Sequence, residues 1–113
     1  MKKQNVNEYI EYSEDKFTKR IIFKDDDSTS FVLNFMPGQK LPAHKHPGAT
    51  VYLMVIQGDG EFTIDGEKHS VSKDDVLLSQ GKEEMAFENT GTSNTSLYVQ
   101  LVKIPDERYA KNI

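Results

Sequence analysis

Gly38-Gln39-Lys40-Leu41-Pro42-Ala43-His44-Lys45-His46, with Gly58 twelve residues further on, is the most informative stretch of this chain. In an extended strand, side chains two residues apart point to the same face, so His44 and His46 would lie side by side. A rise of ~3.3 Å per residue starts the two side chains ~6.6 Å apart. Two imidazoles at that separation can converge on one metal ion or on one ligand.

Short apolar or alternating runs, separated by turn residues, make up most of the remaining sequence. Eight runs predict strands at 17–24, 30–36, 51–57, 61–64, 67–71, 75–79, 85–88 and 97–104. Helical periodicity is almost absent, although 105–111 could form one helical turn or stay loose. This pattern predicts an all-β sandwich or barrel and leaves open a jelly roll, an immunoglobulin-like sandwich or another barrel.

Two of these runs and one turn carry more specific expectations. Along 30–36, Phe31, Leu33 and Phe35 should share one face, with Asn34 on the other. The nearly continuous apolar run at 51–57 predicts a strand that is buried on both faces. Asp65-Gly66 predicts a two-residue hairpin, because both turn positions need positive φ.

Length and composition restrict the function. A chain of 113 residues predicts one domain with a single modest core. A net charge of −4 gives no electrostatic footprint for nucleic acid. The absence of cysteine excludes a disulfide framework, a thiol nucleophile and a cysteine zinc site. Residues 1–8 lack the apolar core of a signal peptide and no run reaches membrane-spanning length, so we expect a cytoplasmic protein without membrane contact.

The spacing within 38–58 resembles the first motif of the cupin superfamily: Gly, five residues, His-x-His, a short gap, Glu, six residues, Gly. Residues 66–77, followed by Asn89, are similar to the second motif, with Ser72 at the usual Pro and Asp74 at the usual Gly. The resemblance spans about 31–104. It implies a single cupin-like domain over 1–113, folded as a double-stranded β-helix or jelly-roll barrel of six to eight strands. His44, His46 and Phe62 would face inward.

Resemblance to small cupins also implies a homodimer, for which the predicted strand at 17–24 offers an edge that a partner could cover. This expectation comes from the family and not from the residues themselves.

The resemblance further implies a metal held by the two histidines and the glutamate of the first motif and by the histidine of the second. Only His44 and His46 are present, because Val51 stands at the glutamate position and Met85 at the second histidine position. Loss of the carboxylate removes the anionic partner that lowers the cost of burying a dication. We therefore expect a degenerate metal site, with His44, His46, Val51 and Met85 as pocket residues and no assigned catalytic residue.

Neighbouring residues compensate poorly for these losses. Thr50 could replace Val51 only through a bulge and would offer a neutral hydroxyl, and Glu84 would point away from Met85's face. A divalent transition metal on His44 and His46 stays an alternative, as does Cu(I) if the Met85 thioether joins them.

Three classes of function remain open. The leading one is a small cupin that binds an apolar-to-mixed small molecule in the barrel mouth without catalysis. The second is a metal-dependent enzyme of dioxygenase or isomerase type that uses His44 and His46. The third is a structural or regulatory β module without a ligand, in which both histidines lie idle at the surface. His69 is expected to face solvent, and 25–27 to form a solvated turn instead of a calcium loop.

Overall fold

Two antiparallel β-sheets form the body of the protein in this computed structural model, which describes residues 1–103. A short 3-10 helix (Val6–Tyr9) comes first. The strands that follow are β1 (Thr18–Lys24), β2 (Ser28–Phe35), β3 (Lys40–His44), β4 (Ala49–Gln57), β5 (Asp59–Ile64), β6 (Glu67–Ser72), β7 (Val76–Gln80), β8 (Met85–Glu88) and β9 (Thr95–Lys103). The predicted strand end at Ile104 and the predicted helical turn at 105–111 lie outside the described residues.

The five-stranded sheet has the order β1-β2-β9-β4-β7, and the four-stranded sheet has the order β3-β8-β5-β6. This double-sheet architecture confirms the predicted all-β jelly roll. The described part of the chain has nine strands where six to eight were expected. The additional strand is β3, which pairs with β8 and ends at His44.

The core lies between the two sheets and combines four Phe rings with aliphatic side chains and Met85. Phe35 and Phe87 have ring centroids 4.9 Å apart, and Phe87 and Phe62 have centroids 4.7 Å apart. All three rings are buried, as the predicted inward position of Phe62 requires. Tilted contacts at this spacing suit the quadrupoles of aromatic rings.

Strand β2 is buried on both faces, which its sequence does not reveal. Phe31, Leu33 and Phe35 belong to the core, as predicted. Asn34 lies on the opposite face but is also fully buried, because the segment before β1 crosses over it. The Asn34 amide donates to the Tyr9 carbonyl over 2.9 Å, and Ser96 Oγ donates to Asn34 Oδ1 over 2.7 Å.

The prediction that 51–57 is buried on both faces is wrong. Val51, Leu53 and Val55 are buried, but Tyr52 is 46% exposed and Met54 is 39% exposed. The strand is half-buried, as is common in antiparallel sheets, and its outer face is apolar instead of polar.

The turns follow the predicted backbone chemistry. Asp65 and Gly66 both have positive φ, 50° and 82°, and they connect β5 to β6 as the predicted two-residue hairpin. Asp74 has φ 75°, so the position where the second motif usually has Gly keeps a left-handed backbone with a residue that tolerates it. Gly58 combines φ 81° with a close approach to Thr95, which leaves no room for a side chain.

Candidate functional site

The two histidines lie together at the end of β3. His44 is the last residue of β3, and His46 follows in the loop toward β4. Their ring centroids are 4.5 Å apart and their planes are nearly perpendicular, at 80°. Both side chains are partly buried. The structure therefore brings the two imidazoles into direct contact.

A close approach of two backbone segments fixes His46. The His46 amide donates to the Gly81 carbonyl over 2.9 Å, and the His46 carbonyl accepts from the Ala49 amide over 3.0 Å. A Cβ at Gly81 would collide with the carbonyl oxygens of His46 and Ala49. Glycine is thus required at 81 to let the histidine loop close against the end of β7.

A hydrogen bond determines the tautomer of His44. Its Nδ1 lies 2.7 Å from the Pro42 carbonyl oxygen, which can only accept. Nδ1 therefore carries the proton in the neutral ring, and Nε2 keeps its lone pair. Within residues 1–103 no such bond fixes the His46 ring, so neutral His46 can present an N–H from either nitrogen.

An open cavity of about 260 Å³ lies beside the histidines, between β1, β2, β3, β4, β8 and β9. The residues His44, His46, Val51 and Met85, which the sequence places in a pocket, all line it. Its apolar floor consists of side chains that are at most 5% exposed: Phe31, Leu33, Val51, Leu53, Met85 and Val99. Phe17, Lys19, Leu41 and Leu101 complete the lining.

Among residues 1–103, the charged and titratable groups that line this cavity are all basic. Lys19 Nζ lies 4.5 Å from the centroid of the Phe31 ring. Burial lowers the pKa of His46 below its usual value, and the charges of His44 and Lys19 lower it further. No Asp or Glu is among the described residues that line the cavity.

The donor atoms present do not match the metal site that cupin resemblance implies. Within residues 1–103, no group of three or more His, Cys, Asp or Glu side chains is arranged to hold a metal ion. Val51 and Met85 bring a hydrocarbon and a thioether to the cavity where the motifs have a carboxylate and an imidazole. Catalytic zinc sites usually have three protein ligands.

The two substitute ligands considered from sequence lie elsewhere. Thr50 neighbours Val51 in β4 and so points to the outer face of the sheet, opposite the cavity. Glu84 is exposed, and its backbone amide donates to the Asp65 carboxylate. Among the described residues, neither lines the cavity.

Lys19 is the cavity residue that sequence reasoning missed. The alternation within 17–24 places Phe17 and Lys19 on one face, which could have indicated a joint role. The sequence does not show that this face closes the cavity. His69 and residues 25–27 are exposed, as expected, and none of them lines this cavity.

Residues 31–101 match the family model described as "Cupin domain", and the chain therefore belongs to this family. This confirms the resemblance drawn from the two motifs. A comparison with curated proteins finds no match. Among residues 1–103 there is no helix of the length and apolarity needed to cross a membrane.

Solved structures show the same fold at low sequence identity. TT1209 from Thermus thermophilus is 17% identical with a TM-score of 0.85, covering 93% of this chain and 100% of that one. An uncharacterized protein with a double-stranded β-helix domain from Klebsiella pneumoniae is 22% identical with a TM-score of 0.82, covering 91% and 90%. An RmlC-like cupin protein from Desulfovibrio desulfuricans is 21% identical with a TM-score of 0.81, covering 90% and 96%.

Proposed function

We propose that this cupin is a binding module that takes up a small, mainly apolar molecule in the cavity beside His44 and His46, without catalysis. One observation carries the proposal: an open space of about 260 Å³ has a floor of buried apolar side chains and basic groups at its side. Ligand sites in proteins commonly combine an apolar lining with a few polar groups that orient the ligand.

We also propose that the metal site is degenerate. Two imidazoles alone leave a divalent ion without a charge-neutralising protein ligand. Val51 and Met85 instead extend the apolar floor of the cavity. This supports binding over the enzyme alternative, in which His44 and His46 would hold the metal of a dioxygenase or isomerase.

The experiment is a titration of the ¹⁵N-labelled full chain with benzyl alcohol, a neutral probe that is mostly apolar. We expect saturable shifts of the amide signals of cavity residues. Val51→Phe should abolish the shifts by filling the floor, while Met54→Phe should not, because Met54 lies on the same strand but on the outer face. Absence of saturable shifts in the unmodified chain would favour the structural module without a ligand.

Metal analysis tests the enzyme alternative directly. Near-stoichiometric transition metal in the purified chain, lost on His44→Ala, would replace the binding proposal by the enzyme proposal.

The cytoplasmic location stays a prediction.

A further inference from the structure

We propose that the cavity selects an organic anion: a small apolar carboxylate whose hydrocarbon part lies on the floor and whose carboxylate binds Lys19 and His46. This inference rests on the proposed function, since it names the class of ligand that the cavity takes up.

The charge distribution carries the argument. The chain has 18 acidic and 14 Lys or Arg side chains, yet its cavity is lined by Lys19, His44 and His46 and by no described acidic residue. None of the ion pairs within residues 1–103 involves Lys19. Its ammonium is therefore available to a ligand anion.

Geometry assigns different roles to the basic groups. Lys19 Nζ lies over the Phe31 ring, which is itself part of the floor, so the cation stands where apolar lining meets solvent. His46 can offer a ring N–H in its neutral form, whereas neutral His44 donates its single N–H to Pro42. A carboxylate can thus accept from Lys19 and from His46 without any change of protonation.

The cavity also limits the size and polarity of the ligand. A volume of about 260 Å³ lies below the ~300–1,000 Å³ typical of pockets for drug-sized molecules. A buried carboxylate without partners is costly, and the floor formed by Val51, Leu53 and Met85 offers it no hydrogen-bond donor. The fitting class is a monocarboxylate with one ring or a short chain, and its charged end lies at the opening.

Benzoate and benzyl alcohol test this inference, because they share the ring and differ in charge. In amide-shift titrations at neutral pH, we expect benzoate to bind about tenfold more tightly than benzyl alcohol, as charge-assisted hydrogen bonds predict. Lys19→Met should remove most of this preference, because it removes the ammonium that binds the carboxylate. Lys24→Met is the matched control on the same strand, outside the cavity lining, and should keep the preference.

The outcomes separate the two proposals. Equal affinities for the two probes would overturn the selection of an anion and leave the binding function intact. A benzoate preference that survives Lys19→Met would overturn the role of Lys19. Failure of both probes to bind would overturn the proposed function itself.

A second inference comes from a different surface, the outer face of the five-stranded sheet. The cross-strand pairs of β4 with β7 and β9 arrange nine outward positions in three rows. These positions form what we call the β4/β7 face: Thr50, Tyr52, Met54, Val76, Leu78, Gln80, Tyr98, Gln100 and Val102. None of the nine is charged, although 28% of the chain is.

We infer that the β4/β7 face packs against the same face of a second copy. Val76 is 72% and Leu78 58% exposed, which is unusual for apolar side chains side by side with Tyr52 and Met54. Two copies that each carry a net charge of −4 repel one another, and an uncharged face lets them meet without like charges in contact. A two-fold dimer joins identical patches in this way.

This interface lies away from the edge that the sequence suggested. Strand β1 is indeed an edge strand, but Ile21 is its single strongly exposed large apolar residue among those described. The segment before β1 covers the β2 side of the outer face through Tyr9 and through Tyr12, which contacts Ser96. Among residues 1–103, the exposed apolar side chains of the outer face lie near β7.

Light scattering after gel filtration tests this dimer at micromolar concentration. We expect twice the chain mass of 12.9 kDa. Leu78→Lys and Met54→Lys should each give the single-chain mass with an unchanged circular dichroism spectrum, and Ile21→Lys on β1 should leave the dimer intact. A single-chain mass for the unmodified protein would overturn the inference, as would dissociation by Ile21→Lys alone.

Discussion

His44 on β3 is the cross-strand partner of Met85 on β8, and both side chains line the same cavity. The position where the second motif usually has histidine therefore lies directly across from a histidine of the first motif. This pairing gives a structural basis for matching Met85 to that position. In the proposed degenerate site, the Met85 thioether occupies the place of an imidazole and makes the cavity apolar there.

A rebuilt ligand set should bind metal. We expect the unmodified chain, purified without added metal, to carry well under one equivalent of Fe, Mn, Zn or Ni. Val51→Glu with Met85→His should raise this toward one equivalent, because a site with four protein ligands can reach the ~10–16 kcal/mol of structural zinc sites. Elemental analysis and calorimetry measure the change.

Two further substitutions in that double variant provide the controls. His44→Ala should abolish the gain, whereas His69→Ala should not, since His69 is exposed and does not line the cavity. If the double variant gains no metal, the assignment of Val51 and Met85 to the ligand positions is wrong.

His46 should make the stability depend on pH. Its pKa is lowered in the folded chain, chiefly by burial, so the unfolded chain takes up the proton first as the pH falls. The free energy of unfolding should therefore decrease as the pH drops from the usual histidine pKa to the folded one. Above the usual histidine pKa, His46 is neutral in both states and does not lower the stability. His46→Gln should remove it, which urea unfolding at several pH values would show.

The same shift can be observed at the residue itself. A histidine titration followed by NMR should give His46 a lower pKa than it has in the unfolded chain. Lys19→Met should raise this pKa only in part, because burial is the largest cause and remains. A His46 pKa at or above the usual value would contradict a partly buried ring that lies near the positive charges of His44 and Lys19.

Gly81→Ala should destabilise the fold and displace the histidine loop. The added methyl group would collide with two backbone carbonyls, those of His46 and Ala49, which cannot move aside as a side chain can. We expect a loss of about 1–3 kcal/mol in the free energy of unfolding, typical of overpacking. Unchanged stability together with an unchanged His46 ring signal would contradict the close approach.

Asn89 should stabilise the junction of the ends of β2 and β8 with the loop before β9 through its hydrogen bonds. It is 1% exposed, and its side-chain amide donates to the carbonyls of Phe35 and Ser93, over 3.0 and 2.9 Å. Its own backbone carbonyl accepts from Gly38 over 2.8 Å, which links the two sequence motifs. Asn89→Ala removes the buried donor to the Phe35 carbonyl and should cost about 1–3 kcal/mol, measured by urea unfolding. Asn94→Ala, at a partly exposed position, should cost less.

Much of the fold could be predicted because local rules and motif spacing agree. The Asp65-Gly66 hairpin, the alternation of Phe31, Leu33 and Phe35, and the Gly-spaced histidines all depend on short-range patterns. Burial of Asn34 and exposure of Tyr52 could not be predicted. Both depend on which half of the outer sheet face the N-terminal segment covers, and that is a long-range contact.

The candidate site was predictable where the motifs mark it and not elsewhere. His44, His46, Val51 and Met85 line one cavity, as their motif positions suggested. Lys19 comes from outside both motifs, on a strand that pairs with β2 alone, and only the folded chain brings it over Phe31. A basic residue in an alternating strand carries no local signal that distinguishes a cavity from solvent.

A crystal structure of the full chain grown with benzoate at neutral pH, with anomalous data collected at transition-metal edges, tests the central claim most directly. We predict electron density for the benzoate ring against Val51 and Met85, with its carboxylate at Lys19 and His46 and no anomalous peak beside His44. An anomalous peak coordinated by His44 and His46, with the apolar floor empty of benzoate, would contradict a metal-independent binding module.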